Sequence, residues 1–350
     1  MRILITGVHG FVGSNLVEYL KGENEIYGLD IVAPEKDGIV KTFSWDELEM
    51  PDQIGHDSSA LPQFDAIIHL AGKAHDTKNK SAADVYFKVN TGLTQKIFDY
   101  FMASGAKKFI FFSTAKAAAD RVEGVLTEDV VPSPVGPYGE SKIKAEEYIL
   151  KKMKDGDSST TLGMTEEKLG MTVGKFKMTG GKLGAVEGRQ VYILRPCMIH
   201  GPGNKGNLNL LYSVVSKGIP WPLGAFENRR TFTSVENICF AVNGLLTKDV
   251  ESGIYNMGDD EALSTNELIE VICSTLGKKA HIWKISKGFM TGCAKIGGWL
   301  HLPLNPDRLQ KLTENYVSSN EKIKKALGVE KLPVDAREGL RRTIKSFSLK

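Results

Sequence analysis

The apolar positions of this chain fall into short runs separated by stretches of helical spacing. Ile3 to Ile5 is the first run, and a helical apolar pattern follows it through Leu20. Further strands are predicted near residues 2–6, 25–30, 66–70, 108–113 and 190–195, with helices between them to about residue 150. Strands that alternate with helices form a parallel sheet covered on both faces. Beyond residue 200 the pattern loosens. Helical stretches at Leu208–Lys217, Val235–Leu246 and Thr265–Leu276 there mix with short strands such as Gly253–Met257. Between the helix that ends near residue 150 and the strand at 190–195, Asp155 to Arg189 holds eight glycines and scattered apolar residues where a connection is normally a handful of residues; a small β-excursion fits, but it reads rather as a mobile insertion.

Composition narrows the class without choosing the chemistry. A chain of 350 residues can bury a large core and suits one large or two unequal domains. A net charge of +3, with no basic stripe bearing interleaved aromatics, argues against nucleic acid. Cys197, Cys239, Cys273 and Cys293 are widely spaced, which fits reduced thiols and a cytoplasmic setting. The histidines lack ligand spacing, so no metal site is expected. No apolar run reaches the roughly 20 residues that span a bilayer. Phe289 to Leu304 is apolar but broken by Lys295, Gly297, Gly298 and Pro303, and reads as a lobe helix or surface lid without membrane insertion.

Chemistry first appears at the amino end. Gly7, Gly10 and Gly13 follow the first strand and open the first helix. Glycines so placed let the backbone turn, approach a pyrophosphate and pack the helix on the strand, while the helix N-terminus offers N–H groups to phosphates. Phe11 and Val12, between them, belong to the same cofactor-binding segment. The second strand ends in Asp30, where an acid accepts bonds from ribose hydroxyls and repels a 2′-phosphate. No arginine lies between Asp30 and Lys41, so the expected cofactor is NAD. This makes the sheet a Rossmann-type, doubly wound α/β fold.

A second constellation is Tyr138-Gly-Glu-Ser-Lys142. Positions i and i+4 share a helix face. An ammonium beside a phenol favours phenolate, which predicts a Tyr138 pKa pulled down towards working pH. Such a tyrosine exchanges a proton with an alcohol while hydride is transferred.

Together, G-x-x-G-x-x-G and Tyr138-x-x-x-Lys142 make the chain resemble the extended short-chain dehydrogenase/reductases, especially the sugar-nucleotide epimerase/dehydratase group. The resemblance runs over nearly the whole length. It implies residues 1–200 as the NAD-binding domain, with the insertion 155–189, and 201–350 as a smaller C-terminal α/β substrate lobe from which core elements can return. Leu70, Ala71 and Gly72 in Asp65–Gly72, Asn90 in Val-Asn-Thr-Gly, and Pro196 in Leu194–Gly203 match cofactor-side positions. Lys142 reaches the nicotinamide ribose in related enzymes. Thr114 takes the place of the third catalytic residue, holding the sugar oxygen beside Tyr138, with Ser113 a weaker candidate. Arg230 sits where the family places a diphosphate-binding arginine, and Arg229 either assists it or faces solvent. Asn204, Asn207 and Arg308 are further candidates for the nucleotide side. His69 and His200, at strand ends, read as structural. A homodimer through the Tyr/Lys helix and its neighbour is expected from the family.

The resemblance also has a departure. Related 4,6-dehydratases carry Asp-Glu after the threonine, and here Ala115 and Lys116 stand there, so dehydration is not expected. Thr-Ala-Lys is closer to a surface-polysaccharide branch of N-acetylhexosamine epimerases and 4-keto-sugar reductases. The implied activity is NAD-dependent C4 epimerisation of a UDP-linked or other nucleoside-diphosphate sugar. The alternatives are an NAD(P)H-dependent 4-keto-sugar reductase and a non-catalytic dinucleotide sensor.

Overall fold

The computed structural model describes residues 1–48, 61–73, 82–158, 188–204, 206–299 and 305–348. Most of the proposed insertion, residues 159–187, lies outside them. The main sheet has seven strands: β1 (Arg2–Thr6), β2 (Glu25–Leu29), β3 (Lys41–Phe43), β4 (Ala66–His69), β5 (Lys108–Phe112), β6 (Gln190–Pro196) and β7 (Gly253–Met257). Their spatial order is β7-β6-β5-β4-β1-β2-β3, and every neighbouring pair is parallel. Order reverses beside β1, which opens the crevice where such sheets bind ligands.

Five helices matter below: α1 (Phe11–Leu20), α2 (Leu93–Ala103), α3 (Pro137–Ser158), α4 (Val235–Thr247) and α5 (Lys287–Trp299). Strand residues alternate between the two faces. Ile3, Ile5, Ile26 and Ile68 pack with α1 and α4, whereas Leu4, Ile67, Phe109 and Phe111 pack with α2 and α3. Both faces are buried, which is why these strands read as unbroken apolar runs.

Sequence spacing misses β3, whose three residues carry too short a pattern, and the two- and three-residue strands outside this sheet, but locates the sheet's other six strands to within a residue or so. The later part of the chain is not wholly separate. Strand β7 returns to the sheet beside β6, and α4 packs on α1. The rest forms its own core around Leu208, Phe232, Leu263, Leu268, Ile272, Leu340 and Ile344.

Candidate active site

The first strand, turn and helix build a cradle for phosphates. Gly7 has φ +67°, and a Cβ there would come within 3.0 Å of the Ala71 backbone. At Gly13 a Cβ would stand 2.5 Å from the Gly7 carbonyl oxygen, so only glycine lets α1 start this close to β1. Gly10 caps α1 without a side-chain hydrogen bond, leaving the helix's first N–H groups and dipole for an anion. Phe11 lines the other side, 3.5 Å from where a Gly201 Cβ would lie, and Asn15 Nδ2 donates to the Pro202 carbonyl at 3.2 Å.

Asp30, half-buried, ties the glycine turn to the end of β2. Its carboxylate accepts the N–H of His9 at 3.0 Å and of Ile31 at 2.7 Å. Further acceptor capacity remains for ribose hydroxyls. Across the turn, Thr6 Oγ1 accepts the N–H groups of Leu70 and Ala71 at 3.2 and 3.0 Å, shaping the β4 end. Together the bare helix N-terminus, the glycines that no Cβ could replace and the acid at the β2 end fit a dinucleotide.

Beside this cradle lie the candidate catalytic residues Thr114, Tyr138 and Lys142. Thr114, separated from β5 by Ser113, caps the turn Ala115–Ala118, its Oγ1 accepting the Lys116 N–H at 3.3 Å. Tyr138, on the first turn of α3, has the Thr114 side chain beside it, placed to favour the phenolate. One turn on, Lys142 is buried and its Nζ donates to the Phe112 carbonyl at 2.8 Å. A Cβ on Gly72 would meet Asn90 Oδ1 at 3.0 Å and Lys142 Nζ at 3.2 Å, which places the β4 end against both.

Burial corrects the sequence expectation for Tyr138. Its pKa is raised: desolvation of the phenolate outweighs the Thr114 side chain, which acts to lower it. The lysine shifts as well. Burial lowers the Lys142 ammonium to about 8, with Glu146 pulling the other way.

Asn90 holds the site together through a π-helical turn, Phe87–Gly92. Its Oδ1 accepts Lys73 N–H at 2.7 Å, and its Nδ2 donates to Ser141 Oγ at 2.9 Å. Ser141 in turn donates to the Tyr138 carbonyl at 2.9 Å. Sequence reasoning missed two further residues, Glu146 and Arg195. Glu146, four positions beyond Lys142, accepts from Ser113 Oγ and from Arg195 Nε at 3.0 Å, with all three side chains buried. The signal was present: an acid continuing the Tyr138–Lys142 stripe, and an arginine ending the apolar run Val191–Leu194. Ser113 is thus turned into this buried network.

The remaining candidates separate. Arg230 is partly buried, paired with Glu314 at 3.4 Å, and its pKa is lowered by burial. Glu314 also feels Lys116 and Asp120, so the arginine segment and the loop after Thr114 share one charged neighbourhood. Lys116 Nζ pairs with Asp120 at 2.6 Å. Arg229 is exposed, bonded to Glu267 at 2.9 Å and to the Ala262 carbonyl. Pro196 is buried in register with Met257. Asn204 is buried with its Oδ1 accepting Gly206 N–H at 2.8 Å, inside its own turn. Asn207 opens the helix Asn207–Val215, and Arg308 is exposed on Pro306–Thr313. Both histidines are structural. His69 bonds Thr6 and Thr94 at 2.7 and 3.0 Å, and burial drives its pKa well down. His200 bonds Thr343 at 2.9 Å and Asp259 at 3.4 Å. Among the described residues, no cluster of three His, Cys, Asp or Glu could hold a metal ion, and no helix is long and apolar enough to cross a membrane.

Comparison with known proteins gives four findings that agree. Residues 3–258 match the model of the NAD dependent epimerase/dehydratase family. The chain is 28% identical to a UDP-glucose 4-epimerase of Vibrio cholerae, over 99% of this chain and 95% of that one. It is 26% identical to the N-acetyl-α-D-glucosaminyl-diphospho-ditrans,octacis-undecaprenol 4-epimerase of Escherichia coli O157:H7, over 93% and 85%. Among solved structures, a UDP-glucuronic acid 4-epimerase from Bacillus cereus in complex with NAD superposes with a TM-score of 0.68 at 18% identity, covering 100% of this chain and 99% of that one.

Proposed function

The chain belongs to the NAD dependent epimerase/dehydratase family, and on that premise we propose that it is a C4 epimerase of a UDP-linked hexose or N-acetylhexosamine. One observation carries the reading: the Tyr138 phenol and the Thr114 side chain lie next to each other just past the end of β5, on the helix turn that also brings Lys142 against β5 and the β4 end of the glycine cradle. The alignment with the Vibrio cholerae 4-epimerase across nearly the full length supports it.

Bound NAD supplies reversible acceptance of hydride from C4. The protein's own residues do the rest. The Thr114 hydroxyl holds the C4 oxygen beside Tyr138. The Tyr138 phenolate takes the proton from the C4 hydroxyl and gives it back once the ketone has turned over. The Lys142 ammonium, one turn along the same helix face, favours the phenolate as the proton is taken. Arg230 grips the diphosphate, for which its planar fork is suited, displacing Glu314. The sugar-diphosphate unit is also what the Escherichia coli relative's name contains, on undecaprenol in place of a nucleoside.

The test is incubation with UDP-N-acetylglucosamine or UDP-glucose, without added reductant, after identifying any dinucleotide released from the purified protein. Epimerisation gives a product of unchanged mass with an inverted C4 proton signal. Turnover seen only with a 4-keto sugar nucleotide and stoichiometric loss of NADH would replace this reading with a reductase.

A further inference from the structure

Helix α5 is apolar on two sides. Met290 and Ala294 face inward, packing with Leu223 and Leu309. Phe289, Ile296 and Trp299 face out, 63%, 59% and 80% exposed. Spaced seven and three apart, these three share one helix face. Large apolar side chains exposed together on one face mark a surface of interaction. Trp283, on the segment leading into α5, adds a further aromatic at 56% exposure.

The charge of the stretch that bears this face is one-sided. Residues 277–306 contain no Asp or Glu, in a chain whose totals of 45 basic and 42 acidic residues are nearly equal. The same stretch carries Lys278, Lys279, Lys284, Lys287 and Lys295. Lys284, Lys287 and Lys295 are exposed, Lys287 lying 5.9 Å from the Phe226 ring.

We propose that the outer face of α5 and its flanking lysines dock this protein on an anionic lipid surface, aromatic and aliphatic tips in the headgroup layer and ammonium groups on lipid phosphates. Apolar residues along one helix face with lysines beside them are how interfacial helices bind. A helix of 13 residues lies on a bilayer and does not cross it. A two-fold contact between copies is disfavoured by the same charges, since it would set these lysines against their own counterparts with no carboxylate from the stretch to pair them.

The test uses the full-length protein and sedimentation with sucrose-loaded vesicles, either phosphatidylcholine alone or phosphatidylcholine and phosphatidylglycerol in equal parts. Wild type should pellet with the anionic vesicles, weakly with the neutral ones, and less as salt is raised. Phe289→Ser with Trp299→Ser should cut binding about ten-fold or more for each aromatic lost. Replacing Lys284, Lys287 and Lys295 by Gln should cut it about five-fold per lysine. All these side chains are exposed, so the variants should keep the wild-type melting temperature and epimerase turnover, which separates this result from failure of the activity itself. Equal pelleting with both vesicles, or serine variants that pellet like wild type, would overturn the proposal. So would a wild-type dimer that the serine changes turn into monomer without any effect on vesicle binding.

Discussion

Glu146 and Arg195 form a wholly buried ion pair, Nη2 lying 2.5 Å from Oε2, that joins helix α3 to strand β6. Because Ser113 also donates to Glu146, the residue preceding Thr114 is fastened to the helix bearing Tyr138 and Lys142. Removing one partner strands a buried charge. Glu146→Gln and Arg195→Met should each cost about 3–5 kcal/mol of stability, and the double change less than their sum. Urea unfolding of the three variants measures this, and additive losses would mean the pair is not coupled.

The same carboxylate should set the alkaline limit of activity. Burial lowers the Lys142 pKa to about 8, and Glu146 opposes that fall. Below this value the ammonium is present, and above it the charge that supports the Tyr138 phenolate is lost. Turnover should therefore decline through about pH 8 in wild type. In Glu146→Gln the decline should move to lower pH, since a cause that raises the pKa is gone. A limb that stays in place would separate Glu146 from the titration of Lys142.

Tyr138→Phe removes the proton carrier and leaves the cradle intact. Turnover should fall by about 10²–10⁴-fold while NAD affinity measured by calorimetry is kept. Near-normal turnover would take Tyr138 out of the mechanism.

Asp30 should set cofactor choice. Wild type should bind NAD more tightly than NADP, and Asp30→Ala should weaken NAD about ten-fold or more through lost charged hydrogen bonds. The preference between the two cofactors should narrow with it, because the repulsion of a 2′-phosphate goes too. Calorimetric titration of both cofactors into both proteins decides the point, and tighter NADP binding by wild type would overturn the assignment.

No dehydration is expected. Ala115 cannot carry a proton, and Lys116 is committed to Asp120 at 2.6 Å. A 6-hydroxylated UDP- or dTDP-hexose should give no product one water lighter than substrate by mass spectrometry. Such a product would require an acid from elsewhere, with Asp120 the nearest to Thr114 in sequence.

Much of this site could be read from spacing because its elements are local. Gly7, Gly10 and Gly13 form one turn, and Tyr138 and Lys142 occupy one face of one helix, so neither depends on long-range contacts. The Tyr138 pKa could not be read so, since its direction depends on how deeply the phenol is buried. Glu146 and Arg195 were missed for a related reason. Each looks like an ordinary charged residue until a helix and a strand 49 positions apart are brought together. His69 and His200 show the reverse, being suggestive by position and then fully engaged by threonines and Asp259.

The return of β7 to the sheet has a consequence for synthesis. Val191 N–H on β6 finds Ser252 Oγ only 61 positions later in the chain. At about 5–20 residues per second, a ribosome needs several seconds to make that interval. During it β6 is an unpaired edge of Val191, Tyr192, Ile193 and Leu194, the kind of surface on which nascent chains pair with one another. A chain stopped short of β7 would keep that edge for its lifetime. Truncation near residue 200 should therefore yield an aggregating fragment, even though every glycine of the cradle has already been made.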